Sequence, residues 1–570
     1  MTTTSESATF ATLDSALERL KEGERRWATV PLSRRTELLQ EVAQRAVAHA
    51  PSWVEAACRV KRISPSSPLS GEEWLSGPYA VATNAAALAH SLQALSSGKN
   101  PISDVPITPV RGGRIGLDVF PRTVWDRVLL SGFSARVWLK PGVSAEQARS
   151  TAGLAQREPT NTQGISVVLG AGNITSIAPL DTLYELFAHN RVVVLKLNPV
   201  MDEMFDATCA VLKPLSDVGV VEVVRGGVDV GAYLVDHADT THVHITGSAA
   251  SHDAIVFGGG AEGEARRKKG DPRLRKSITS ELGGVSPAIV VPDGWSERDI
   301  EFQAEHLATQ RLHNGGYNCI GTQVVVMPIG WSGRGAFLRA LRRQVDKAPQ
   351  RPAYYPGSDD RIADANQHHP TAKTCENGRL LIESLSADDE ARAFTVEYFS
   401  PVLAVVQLPG EGADFLRTAS EFVNERLAGT LGANVLIHPR YRRKLGQAFD
   451  VFLESLRYGT IAVNGWTGVG YLTAQAPWGG FPGATLSTVS SGIGVVHNAL
   501  LVPETERTVI TGPFRPLKRS LITGQFSITP KPAWFVTNRQ AHHVGRKLVA
   551  FVGDPKLTRL PSIFASALRG

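Results

Sequence analysis

E-L-G-G-V-S-P, from Glu281 to Pro287, and N-G-G-Y-N-C, from Asn314 to Cys319, bracket a segment that reads as strand, helix and glycine-rich turn. A thiol is a strong nucleophile only as the thiolate, so it needs a nearby base or a locally positive environment. A carboxylate that can approach the thiol, or a water beside it, supplies general-base chemistry. Gly283 and Gly284 let the backbone come close to a ligand, and Gly315 and Gly316 do the same just before the cysteine. Between the two motifs, Ala288–Val291 predicts a short buried strand and Ile300–Leu312 a helix. A base, a strand, a helix and a nucleophile on a turn make this the leading candidate site in the chain.

Working toward the N-terminus, I-S-V-V-L (Ile165–Leu169) predicts a buried strand, Gly170–Asn173 a turn into a helix through Ala188, and V-V-V-L (Val192–Leu195) the next strand, ending at Lys196. That is a βαβ unit, which implies parallel strands in a doubly wound sheet. Ligands of such sheets bind beyond the carboxyl ends of the strands, where Asn173 and Lys196 both fall. Val221–Gly227 predicts another strand and a glycine turn, and Val243–Ser248 (V-H-I-T-G-S) follows as the next strand end. Toward the C-terminus come a strand at Thr322–Met327, helices from Arg334 to Asp346, and strands with turns within Gly429–Leu436 and Tyr458–Gly465.

The glutamate and cysteine motifs together resemble the aldehyde dehydrogenase superfamily, and the match runs from about residue 20 to about residue 500. V-E-Y-F-S-P-V-L, containing Glu397 and Phe399, resembles the family's E-x-F-G-P-V-L, and A-P-W-G-G-F-P-G-A (Ala476–Ala484) its closing glycine-rich motif. The resemblance implies an α/β fold with three parts: a doubly wound parallel-sheet cofactor domain, an α/β catalytic domain and a small β arm used for oligomerisation. The boundaries it suggests are 16–282 for the cofactor domain, with an arm segment near 130–163, then 283–484 for the catalytic domain and 485–514 for the return to the arm. It implies Cys319 as nucleophile, Glu281 as base and Asn173 as oxyanion donor. Lys196, Gly247, Ser248, Gly283, Glu397 and Phe399 are the implied contacts to NAD or NADP. The implied reaction is oxidation of an aldehyde to a carboxylic acid by a homodimer or homotetramer. Two other readings stay open: acyl transfer to coenzyme A, and a non-catalytic relative with a binding role.

Three departures from the family pattern bear on the cofactor. Pro199 stands where NAD-preferring members often carry a ribose-binding glutamate. His252 replaces a glycine, so its side chain would crowd a diphosphate. Gly258–Lys276 reads as an inserted, exposed, basic loop.

Composition sets the remaining bounds. A chain of 570 residues with 42% hydrophobic and 20% charged residues suits a globular protein of several domains. Four widely spaced cysteines without a C-x-x-C argue for a reducing compartment, and the lack of a signal peptide or of an apolar run long enough to span a bilayer predicts a cytoplasmic protein without membrane contact. His368 and His369 are adjacent and lack a carboxylate pattern, so they read as solvated and no metal site is predicted. From Arg515 onward ten Lys or Arg face a single Asp, giving a basic extension over 515–570 of unassigned role, with strands predicted at Ala533–Val536 and Leu548–Val552. No stacking-plus-basic module accompanies it, so nucleic acid is not an expected partner. The Ser/Thr-rich residues 1–15 predict disorder.

Overall fold

The βαβ unit is built as its apolar runs predict. Ile165–Leu169 and Val192–Lys196 pair in parallel, and the fully buried helix Ile177–Ala188 connects them. Continuous β-branched runs suit strands covered on both faces. The structure, a computed structural model, describes residues 3–516, 520, 525 and 527–570. Among them, these two strands belong to a six-stranded sheet ordered Gly492–Ile493, Ser277–Leu282, Thr240–Gly247, Ile165–Leu169, Val192–Lys196, Val221–Val224. All its pairings are parallel except that of the edge strand Gly492–Ile493.

A second sheet has eleven strands. Its parallel centre runs Thr505–Thr511, Thr460–Val463, Gly432–Ile437, Ser286–Val291, Thr322–Pro328, Val402–Leu408, Leu380–Ser386. Ser134–Leu139, Arg114–Phe120 and Ile107–Val110 extend it in antiparallel fashion beyond Thr505–Thr511. The strands read as an oligomerisation arm thus continue the chain's own large sheet, because Thr505–Thr511 bonds to Thr460–Val463. The two sheets place the candidate residues between them. Asn173, Lys196, Gly247 and Glu281 sit at carboxyl ends of the smaller sheet, while Cys319 and Glu397 lie just before the amino ends of Thr322–Pro328 and Val402–Leu408.

Several local expectations are corrected. Residues 3–15, expected to be disordered, belong to a helix at Thr3–Trp27. Leu13, Leu17 and Leu20 recur at helical spacing and are buried, and Phe10 stacks on Tyr233 at 4.4 Å between ring centroids. Gly258–Lys276, read as a loop, contains the helix Gly260–Lys269, closed by Gly270 in the left-handed conformation. The predicted strand at Leu548–Val552 is part of the helix Ala541–Gly553, a second helix follows at Leu560–Ala567, and Ala533–Val536 is not a strand. A five-residue apolar run cannot by its period tell strand from helix. His369 is buried edge-on against Tyr398 instead of solvated. Among the described residues no helix is long and apolar enough to cross a membrane.

The N-terminal helices are locked on by one buried cation. Arg35 donates to the carbonyls of Trp27, Val30 and Pro159 and to the side chains of Gln156 and Asn190, and its guanidinium lies 4.1 Å from the centre of the Trp27 ring. Burial without a carboxylate partner pulls its pKa down to about 9. Arg35→Met keeps much of the apolar stem but strips these donors. Unsatisfied buried acceptors cost about 1–3 kcal/mol each. The substitution is therefore expected to destabilise the chain by about 3 kcal/mol or more, measured as a drop in the urea midpoint.

Candidate active site

Cys319 follows a tight turn in which Asn314, Gly315 and Gly316 all have left-handed backbones, with φ of 55°, 69° and 85°. At Gly316 a Cβ would lie 2.8 Å from the Ser400 backbone, so glycine is required there for close approach as well as for conformation. The buried Arg311 staples both sides of the turn, donating to the carbonyls of Gly316 and Gly321. The sulfur is partly buried, and its neighbour Asn318 accepts from the Ile320 N–H at 3.3 Å. Burial raises the thiol pKa well above its usual value, and the charges of Glu281 and Glu397 push it further.

Asn173 is tied to this turn from the opposite sheet. Its side-chain amide donates to the Tyr317 carbonyl at 3.2 Å, and its own carbonyl accepts from the Asn314 amide at 3.1 Å and from the Tyr354 hydroxyl at 3.2 Å. Below the turn lies an ion cluster that sequence reading missed. Glu72 accepts from the Asn314 N–H at 3.0 Å and pairs with Arg351 at 2.7 Å, and Arg351 also donates to the Asn314 side-chain oxygen at 3.1 Å. Lys61 pairs with Glu73 at 2.8 Å, both side chains being wholly buried. Lys61, Glu72 and Glu73 come from the 60–160 region where no motif stands out; consecutive carboxylates in G-E-E-W are the only local signal.

Glu281 accepts a hydrogen bond from the Trp478 indole at 3.0 Å. Its pKa rises to about 8, first through burial and then through the charge of Asp181, with Trp478 and His244 opposing. Glu397 is likewise pushed to about 8 by burial, against Arg311, the Gly284 N–H and Arg361. One of its oxygens is buried without a hydrogen-bond partner, and a side chain on Gly283 would collide with the carboxylate. Phe399, at φ 43°, packs against Tyr355 with centroids 5.0 Å apart.

On the smaller sheet, Lys196 is buried, and desolvation lowers its pKa against the pull of Asp202 and Asp229. Gly247 and Ser248 are exposed at the start of the helix Ala249–Phe257, whose free N–H groups favour an anion. His252 does not crowd that end: its ring is fully buried and turned to Asp253. Arg225 follows Val224, the register partner of Lys196, and is exposed over the Phe205 ring. No arginine was placed here from sequence, because the neighbouring strand had to be known first. The orphaned Glu397 oxygen, the open helix end and Lys196 together fit a nicotinamide dinucleotide.

The other side of the sulfur is apolar. Leu75, Ile174, Ile177, Trp466, Val469 and Trp534 are among the walls of a small cavity of about 40 Å³ beside Cys319. Leu75, Val469, Leu472 and Trp534 also line a vestibule of about 590 Å³, walled further by the helices of the C-terminal extension. Trp534, 8% exposed, comes from that extension, and among the described residues its indole N–H has no hydrogen-bond partner.

Unfolded, Glu281 ionises near 4.5; folded, it holds its proton to about 8. Between those values the folded chain keeps a proton that the unfolded chain has lost, so this group's contribution to stability is full below pH 4.5 and falls as pH rises toward 8. Glu281→Gln is expected to flatten the decline of the unfolding free energy between pH 5 and pH 8, measured by urea denaturation at a series of pH values.

The aldehyde dehydrogenase family model matches residues 142–356, the span that holds Asn173, Lys196, Glu281 and Cys319. The chain is 25% identical over 372 residues to 1-pyrroline-5-carboxylate dehydrogenase 2 of Bacillus subtilis, covering 59% of this chain and 67% of that protein. The NADP-dependent glyceraldehyde-3-phosphate dehydrogenase of Bacillus halodurans, solved with NADP, superposes with a TM-score of 0.59 at 17% identity over 88% of this chain and 91% of that one. Lactaldehyde dehydrogenase of Escherichia coli does so with a TM-score of 0.58 at 16% identity, covering 87% and 90%. At such identities the structural likeness speaks for the fold, and the motifs within the matched span speak for descent. Residues 142–356 thus match the aldehyde dehydrogenase family, and the chain as a whole shares the fold of its solved members.

Proposed function

We propose that this chain oxidises an apolar aldehyde to its carboxylic acid with NAD or NADP, through a thiohemiacetal and a thioester on Cys319. The observation that carries the reading is the convergence of Cys319, Glu281 and the strapped Asn173 beside an apolar cavity. Cys319 as thiolate attacks the carbonyl carbon, and the oxygen takes the electron pair. The Asn173 amide and backbone N–H groups at the turn hold that oxyanion. Donors of this kind are worth on the order of 3–4 kcal/mol each. A bound nicotinamide would accept the hydride, and its positive charge would oppose the two carboxylates that hold the thiol protonated. Glu397 and Phe399 border that position, Lys196, Gly247, Ser248 and Gly283 the rest of the dinucleotide, and Arg225 supports a 2′-phosphate and hence NADP. Glu281 then takes a proton from the water that attacks the thioester.

The basic extension forms part of the substrate wall in this reading. Trp534 stands between the cavity at the sulfur and the larger vestibule, so an aliphatic aldehyde would place its tail past that indole.

Cys319→Ala is expected to abolish aldehyde-dependent NAD(P)H formation, and undiminished turnover would refute the assignment. Glu281→Gln is expected to leave one burst of reduced cofactor and a stalled acyl-enzyme, detected by intact mass. A base that stays protonated to about 8 predicts that wild-type deacylation, in single-turnover traces, rises as pH climbs toward 8. Coenzyme A is expected not to capture the acyl group; an acyl-CoA product would instead favour the acylating reaction. Trp534→Ala should raise kcat/KM for branched or aromatic aldehydes by about tenfold while leaving acetaldehyde unchanged, a factor worth about 1.4 kcal/mol.

A further inference from the structure

Beneath Glu281 the six-stranded sheet carries a row of polar side chains that the steps above leave unused. Thr240–Gly247 and Ser277–Leu282 are neighbouring parallel strands, and His242 pairs with Ser277, His244 with Thr279 and Thr246 with Glu281. Alternate residues point to one face, so all six share it. The helix Ile177–Ala188 covers that face and adds Asp181 and Glu185, one turn apart. A face buried between a parallel sheet and its helix is ordinarily Val, Ile and Leu. Here His242, His244, Asp181, Glu185 and Glu281 are each no more than 3% exposed.

These groups form a hydrogen-bonded line. Ser277, at the exposed start of its strand, has its hydroxyl 2.7 Å from Nδ1 of His242. Nε2 of His242 is 3.0 Å from the Thr279 hydroxyl, which is 2.9 Å from Nδ1 of His244. Nε2 of His244 lies 3.4 Å from Oδ2 of Asp181, and the same oxygen accepts from Thr246 at 2.7 Å. Oδ1 of Asp181 is buried and has no hydrogen-bond partner among the described residues. Asp181 is close enough to Glu281 for its charge to raise the proton affinity there, and Thr246 is the direct register partner of Glu281. Around His242 stand Glu185 at 3.7 Å, itself paired with Arg191 at 3.0 Å, and His189.

We propose that this row is a proton path from the Glu281 carboxyl to the surface at Ser277, with His244, Thr279 and His242 as its relay groups. The proposal rests on Glu281 acting as a base, since such a base must lose its proton in every turnover and the walls of the cavity at Cys319 are mostly apolar, with Ser76, His313, Asn318 and Tyr471 the polar exceptions. Outward transfer begins when Glu281 gives its proton to Oδ1 of Asp181. The Asp181 carboxyl turns to present that proton to Nε2 of the Nδ1–H tautomer of His244, whose Nδ1–H then passes to the Thr279 oxygen. The Thr279 hydroxyl proton passes to Nε2 of His242, the Nδ1–H of His242 to Ser277, and the Ser277 proton to solvent. Each hop breaks one N–H or O–H bond and forms another; nothing is oxidised or reduced. His242, His244 and Thr279 touch no substrate, so they act through Glu281.

The test compares Thr279→Val, which keeps the shape and removes the hydroxyl, with Thr279→Ser, which keeps the hydroxyl and loses a methyl group. The path predicts deacylation slowed by about tenfold or more in Thr279→Val and near wild type in Thr279→Ser, with the acylation burst unchanged in both. A packing role predicts the opposite order, and equal deacylation in Thr279→Val and wild type overturns the path. His242→Gln, which keeps hydrogen bonding but does not relay a proton at neutral pH, serves as the second variant and should behave like Thr279→Val. A readout independent of turnover is hydrogen–deuterium exchange of the protonated Glu281 carboxyl, followed by infrared spectroscopy and assigned with Glu281→Gln. Slower exchange in Thr279→Val supports the path and unaltered exchange overturns it. Absence of any burst in the wild-type chain would remove the proposed reaction, and the exchange measurement would still decide the path.

Discussion

Asn314 is the joint on which the candidate site hangs. Its left-handed backbone turns the chain toward Cys319, and its amide donates to carbonyls of both Asn173 and Tyr317, one on each side of the cleft. A non-glycine residue in that conformation is uncommon, and asparagine is among those that tolerate it. What holds it there is charge: Glu72 accepts its N–H and Arg351 donates to its side-chain oxygen. A buried ion pair is poor evidence for stability, because desolvation offsets most of the attraction. Its value here is geometric. Removing either partner would leave a buried charge unpaired and release the residue that sets the distance between an amide and a sulfur.

The same burial that orders the site also sets its resting charge. Two carboxylates held near 8 and a thiol held well above its usual range are what an apolar cavity does to groups whose charged forms lack water. Neither Glu281 nor Glu397 is fully ionised at neutral pH, so the site rests close to electrical neutrality. A cationic ligand between the carboxylates would shift all three groups toward their ionised forms, coupling ligand binding to the ionisation of Cys319. Groups whose surroundings push their proton affinities away from the ordinary values mark functional sites more often than structural ones.

The C-terminal extension shows how a charge count can mislead. Its ten basic residues suggest an exposed tail, yet Trp534, Phe535 and Val536 are buried and its helix Ala541–Gly553 packs on Gly71–Trp74. Gly71 and Gly545 allow that contact, since a Cβ on either would meet Ala541 or Trp74 at under 3 Å. Among the described residues Arg539, Arg546, Lys556 and Arg569 lie exposed on the outer surface, and the apolar face closes a wall of the vestibule.

The sequence by itself determined the parallel α/β plan and the positions of the groups in the site. Long β-branched runs alternating with helical ones admit few other arrangements, and the Glu281 and Cys319 motifs announce themselves through the glycines each needs for close backbone approach. Only the tertiary structure decided what surrounds those groups. Lys61, Glu72, Glu73, Arg351, Asp181 and Trp534 come from segments with no motif, and their roles arise from contacts across tens to hundreds of residues. The line from Ser277 to Asp181 is invisible in one dimension for the same reason. His242 and His244 read as ordinary strand residues until register sets them beside Ser277 and Thr279 and the helix above supplies two acids. Local pattern encodes periodicity and backbone freedom, whereas proton affinity and relay depend on which strangers in sequence are packed together away from water.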